Sequence, residues 1–121
     1  MKELVCLDWA NILLDLTYRF IKKAVSEYGE PPGGIPALCF VQTMLAEDPE
    51  KQKYFLIEEW VGGTGNFTKY INNGHASSCV SVGARAAVHR IAEFLCFSQH
   101  VQYIETDGLA YTSDYQGLRF D

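Results

Sequence analysis

The sequence is short of the features that most often announce a function. No apolar run approaches the ~18 residues of a membrane-spanning helix, so a helical membrane protein is set aside. There is no basic excess either. Ten lysines and arginines face fifteen acidic residues, for a net charge of −5 at pH 7, and the phosphate backbone of a nucleic acid would find little to attract it. Cysteine is sparse: Cys6, Cys39, Cys79 and Cys96 lie far apart, and no two form a C-x-x-C pair. The start, Met1-Lys2-Glu3 with Asp8 inside the first apolar stretch, does not have the pattern of a signal peptide. Reduced, buried apolar thiols in an intracellular, cytoplasmic protein are therefore expected. Glycine clusters once, in Gly62-Gly63-Thr64-Gly65. No Gly-Lys-Ser/Thr follows and position 68 is threonine, so neither a Walker A loop nor G-x-G-x-x-G is present. A flexible connector is the expected role.

What is present can fold. The chain has 121 residues, 48% of them apolar and 21% charged, which suits one domain or a large part of one and argues against disorder. Residues 3–28 read as one long amphipathic helix. Val5, Trp9, Ile12, Leu16, Phe20 and Ala24 recur at three- and four-residue steps as a single buried stripe, with Asp15 four residues before Arg19 on the flank. Gly29 and Pro31-Pro32 end it, and a stiff glycine- and proline-rich loop runs to Pro36. Ala37–Leu45 and Tyr54–Val61 then read as an antiparallel strand pair around a turn at Ala46–Lys53 that contains Pro49.

A loose segment reaches Val82. The second helix runs from about Ala84 to Gln99 or slightly beyond, with Val88, Ile91, Phe94, Leu95 and Phe97 on its apolar face. Asp107-Gly108 is a strong turn signal, and Leu109–Tyr115 reads as a strand. The class is α+β. The chain stops at Asp121 with no closing element after that last strand, which hints at further structure downstream.

Two places could carry chemistry. In Asp114-Tyr115-Gln116-Gly117, an acid and an amide two residues apart on a strand put two oxygen ligands on one face, the kind of donor Mg²⁺ shares with phosphates. A strand entering a turn explains the same tetrapeptide. The histidines are His75, His89 and His100. Zinc needs clustered partners, and the nearest, Cys96 with His100, make two at most, so a helix-end histidine bonded to backbone is the simpler reading. No Ser-His-Asp or Cys-His arrangement stands out.

Four segments, in order along the chain, resemble the alpha-type (atypical) serine/threonine protein kinases, in particular their fungal members. They are Gly29–Pro32 with Ile35–Val41; Phe55-Leu56-Ile57-Glu58-Glu59-Trp60-Val61; Lys69-Tyr70-Ile71-Asn72-Asn73; and Ala92–Leu95 through Gln99–Tyr103, ending in Asp114-Tyr115-Gln116-Gly117. The glycine-loop, His-Arg-Asp and Asp-Phe-Gly motifs of conventional kinases are absent, as expected of a family that shares their fold but not their sequence.

The resemblance implies part of a two-lobed, kinase-like fold. Residues 1–61 would be the end of the N-lobe and the hinge, a long helix on an antiparallel sheet. Residues 62–121 would be the start of the C-lobe, a helix and a hairpin. It implies ATP and Mg²⁺ as ligands, with the main chain of Glu58, Glu59, Trp60 and Val61 holding the adenine ring. Asp114 would be the catalytic aspartate that accepts or orients the substrate hydroxyl proton, and Gln116 its partner near metal and phosphates. Lys69–Asn73 match a post-hinge segment with no assigned contact. His100 matches the first ligand of a structural zinc site in full-length relatives.

Other family parts have no counterpart here: the phosphate-contacting lysine, the Thr-Asp-Pro segment and the remaining His and Cys zinc ligands. Zinc is accordingly not expected in this chain, and little or no phosphoryl transfer is expected from it alone. A non-catalytic remnant, binding a nucleotide or another protein, is the alternative expectation.

Overall fold

The computed structural model describes residues 2–61, 67–75 and 77–117. They form a mixed α+β fold of two helices and two small antiparallel sheets. Helix α1 spans Lys2–Tyr28 and ends where the sequence says it must, with Gly29 at φ 82° donating its N–H to Val25. Strands β1 (Thr43–Asp48) and β2 (Lys53–Glu58) form a hairpin with Thr43 opposite Glu58 and Asp48 opposite Lys53. Its turn is built from side-chain chemistry: the Asp48 carboxylate accepts the Lys51 N–H at 3.2 Å, and Gln52 takes a left-handed φ of 51°. This is the way aspartate commonly opens a turn.

Strand β3 (Thr68–Lys69) pairs with β4 (Gln116–Gly117), and between them in sequence lies helix α2 (Ala86–Glu105). The core joins α2 to the β3–β4 region through Tyr70, Ile71, Ala92, Leu95 and Tyr115. Phe40 stacks on the Tyr115 ring at 6.3 Å. Among the described residues no helix is long and apolar enough to cross a membrane.

Several expectations need correction. The buried face of α1 is Leu13, Leu14, Thr17 and Ile21, whereas Val5, Trp9, Ile12 and Phe20 are largely exposed, Trp9 at 56%. Apolar residues occupy most of the circumference of this helix, so periodicity finds the helix without choosing the side that packs. That choice falls to a polar contact. Thr17 and Gln102, both 0% exposed, meet across the helix pair with Gln102 donating to the Thr17 hydroxyl at 3.1 Å.

On α2, Leu95 is buried as expected, but Phe97 is exposed, and the inward face includes Ser98, Gln99, Val101 and Gln102. The helix also runs six residues past Gln99, to Glu105, before the expected Asp107-Gly108 turn stops it. A side chain at Gly108 would meet the Tyr103 ring at 3.2 Å, and φ of 78° there favours glycine in any case.

Three expected strands are shorter or missing: β2 ends at Glu58 and not at Val61, and the other two follow. β1 begins at Thr43 and not at Ala37, because the preceding segment packs instead of pairing. The Tyr18 hydroxyl donates to the Pro36 carbonyl at 2.7 Å and accepts the Leu38 N–H at 2.8 Å. Residues 109–115 are likewise not a strand. Their backbone is held by side chains of α2 and its end: the Thr106 hydroxyl accepts the Ala110 N–H at 3.1 Å, and Gln102 accepts the Thr112 N–H at 2.8 Å. An apolar, β-branched composition favours extended backbone, but a strand also needs a neighbouring ladder. Finally, the cysteines are free thiols and not buried ones; Cys6, Cys39 and Cys79 are exposed and Cys96 is half-buried.

Candidate functional site

The residues at the end of the chain's last segment are gathered by β3 and β4. In this antiparallel pair Lys69 sits directly opposite Gln116, so their side chains share a face. Lys69 Nζ also forms an ion pair with Asp114 Oδ1. A cation and a carboxylate therefore meet beside this small sheet, with Gln116 opposite the lysine in the register. Asp114 holds a left-handed φ of 60°, a conformation uncommon for a side-chain-bearing residue and one that aspartate tolerates better than most.

The loop between β3 and α2 folds back to secure this geometry. Tyr70 and Ile71 both donate to the Tyr115 carbonyl, at 2.8 and 3.2 Å, just past the ladder. The Ser113 hydroxyl donates to the Asn72 carbonyl at 3.0 Å and accepts the Gly74 N–H at 3.2 Å. Cys79 closes the far side, its N–H on the Tyr70 carbonyl at 2.9 Å and its thiol on the Lys69 carbonyl at 3.3 Å. From α2, the Gln99 amide donates to the Thr112 carbonyl at 2.9 Å. The segment that carries Asp114 is thus held from three sides.

The ion pair itself is a weak structural element. The Lys69 and Asp114 side chains are 40% and 45% exposed, and a pair in that setting contributes about 0–1 kcal/mol. It can exchange partners at little cost. A lysine in such a position can take a phosphate in place of the carboxylate, and the carboxylate can take a hydroxyl proton or a cation.

A cavity of about 470 Å³ adjoins β4, walled by Leu38, Phe40, Tyr70, Ile91 and Tyr115 and bordered by Gln116. This is within the size range of small-molecule sites. On its other side Arg90 donates to the Gly33 carbonyl. A second, more apolar hollow of about 520 Å³ lies between α1 and α2, against Phe20, Tyr28, Phe94 and Phe97.

The structure pairs Asp114 with Lys69, which the sequence offered only as part of a segment without a contact, and sets Gln116 opposite Lys69. Asp114 itself precedes β4 with a left-handed backbone, so the expected placement of Asp114 and Gln116 on one strand face is not found. No signal in the linear sequence marks Lys69, because its role follows from strand register. The Glu58–Val61 segment continues from the end of β2. The Glu59 N–H donates to the Gln42 carbonyl at 2.8 Å, and its carboxylate accepts the Gln42 N–H at 3.1 Å. Trp60 is 90% exposed and Val61 half-buried. Among the described residues, neither cavity takes a wall from this segment.

His100 is exposed on α2. Among the described residues no three His, Cys, Asp or Glu side chains gather into a metal-binding group. Gly62–Gly65 and Leu118–Asp121 lie outside the described residues. No family model, no curated protein and no solved structure matches the chain.

Proposed function

We propose that the chain is part of an alpha-kinase domain and that Lys69, Asp114 and Gln116 form the phosphate end of its nucleotide site. The observation that carries the reading is the β3–β4 register, which sets Lys69 beside Asp114 and opposite Gln116. The donor set fits the ligands of phosphoryl transfer, a reaction in which positioning and charge neutralisation supply most of the catalysis. Lys69 offers a positive charge to a terminal phosphate. Asp114, released from Lys69, accepts or orients the proton of a serine or threonine hydroxyl. The Gln116 amide oxygen and the Asp114 carboxylate would be the oxygen donors that hold Mg²⁺, which would supply neutralisation of phosphate charge. In this reading the main chain at Glu58–Val61 holds the adenine ring. His100 alone does not make a zinc site.

Titration with Mg·ATP, followed by backbone amide chemical shifts, tests the assignment. Shifts at Lys69 and at Asp114–Gly117, weakened about tenfold or more in apparent affinity by Lys69→Met, are the expected result. An affinity unchanged by Lys69→Met would refute it.

A second reading, a non-catalytic module that binds a nucleotide or another protein, draws on a different observation: Tyr54, Phe55, Ile57 and Trp60 are exposed together on and beside β2. It differs in its response to Asp114→Asn. The kinase reading expects any phosphoryl transfer by the protein to be lost in that variant, while the module reading expects none to begin with and unchanged binding.

A further inference from the structure

The cavity beside β4 is used by neither reading. Its wall is mostly apolar, with Leu14, Leu38, Phe40, Ile91, Leu95 and Tyr115 in it. The Phe40 and Tyr115 rings lie 9° from parallel. Lys69, Asp114 and Glu58–Val61 take no part in that wall, and Gln116 is the one residue it shares with the proposed phosphate end.

One charge faces this apolar space. Among the described residues, Arg90 is the only ionised side chain in the lining, and it is exposed, where the cavity meets solvent. Its guanidinium donates to the Gly33 carbonyl. Glycine at 33 makes room for it, because a Cβ there would stand 3.0 Å from Arg90 Nη2. That contact leaves most of the five N–H donors of a guanidinium unspent. No carboxylate answers the charge: the ion pairs among the described residues are Lys51–Asp48 and Lys69–Asp114. Helix α2 adds to the same sign. Its first turn, from which Ala87 lines the cavity, has no acidic residue and no side-chain cap, so the positive end of the helix dipole also favours an anion.

We infer that this cavity binds a small carboxylate with an apolar body, the body against Phe40 and Tyr115 and the carboxylate on Arg90. A planar guanidinium matches a carboxylate through two parallel hydrogen bonds. An apolar pocket with a few placed polar groups is the usual make-up of a small-molecule site, and about 470 Å³ lies in the usual range of volumes. An amine of the same shape meets a like charge, and a neutral analogue leaves the guanidinium unused. Neither nucleotide nor Mg²⁺ takes part, so the site is independent of the kinase reading.

Titration of the chain with naphthoate, without nucleotide or Mg²⁺ and followed by backbone amide shifts, tests the site. Shifts at Leu38, Phe40, Ile91 and Tyr115 are expected. The affinity should be roughly tenfold or more above that of naphthylmethanol, the neutral analogue. Equal affinity of acid and alcohol would overturn the inference, as would shifts confined to Phe20 and Phe97 in the other hollow, or no binding at millimolar naphthoate. These comparisons need only the parent chain. Arg90→Gln should then lower the acid to the affinity of the alcohol and leave the alcohol unchanged; undiminished binding of the acid by a folded Arg90→Gln chain contradicts the site.

Discussion

At the scale of single residues, the polar side chains of α2 decide more than its apolar ones. Gln102 is fully buried and touches α1 and the 109–115 segment at once, through Thr17, the Leu13 carbonyl at 3.5 Å and the Thr112 N–H. Replacing it with leucine strands the Thr112 N–H, so Gln102→Leu should destabilise the fold by about 1–3 kcal/mol, read as a lowered urea midpoint. A second expectation concerns alkaline pH. Burial raises the tyrosine hydroxyls of Tyr18 and Tyr115, and the Cys96 thiol, above their ordinary values. In the unfolded chain tyrosine loses its proton near pH 10, while the folded chain still holds it. Unfolding then releases protons, so the stability the tyrosines contribute is fully present below about pH 10 and falls as pH rises beyond it. Tyr115→Phe should flatten part of that fall above about pH 10. An alkaline slope identical to the parent's would show that Tyr115 is not a source of it. None of this is visible in the sequence, where Gln99, Gln102, Thr112 and Tyr115 carry no pattern; their meeting depends on how two helices and a loop pack.

At the scale of elements, the sequence was most informative where local chemistry acts alone. Gly29 and Pro31-Pro32 ended α1, Pro49 marked the hairpin turn, and Asp107-Gly108 stopped α2, because turn and cap geometry is written in single residues. It was least informative where one element must choose a partner. α1 is apolar around most of its surface, and its packed side is set by Thr17 and Gln102 and not by the Val5–Trp9–Ile12 stripe. The two sides should respond differently to truncation. Leu13→Ala or Ile21→Ala should cost about 2–5 kcal/mol, whereas Trp9→Ala should cost well under half of that. Thermal or urea unfolding of the three variants checks the contrast, and equal losses would contradict the buried face assigned here. The 109–115 segment illustrates the same point in reverse. Its residues favour extended backbone, but its N–H groups found side chains before they found a strand.

At the scale of the whole molecule, the candidate site is a product of topology. Lys69 and Asp114 lie 45 residues apart and meet because α2 carries the chain away from β3 and the turn at Asp107-Gly108 returns it to pair as β4. Asp114 and Gln116 could be named from their spacing; their cationic neighbour could not. The exposed hairpin, with Met44, Phe55 and Ile57 uncovered on one face and Tyr54 on the other, is the other large-scale feature, and the nucleotide reading assigns its end, Glu58–Val61, to the adenine ring. The most direct test of that reading is a single titration of the chain with Mg·ATP while every backbone amide is watched. The account predicts shifts at two separate places, Glu58–Val61 and Asp114–Gly117, saturating together with one affinity. Saturation at only one of them, or no binding at either, would contradict it.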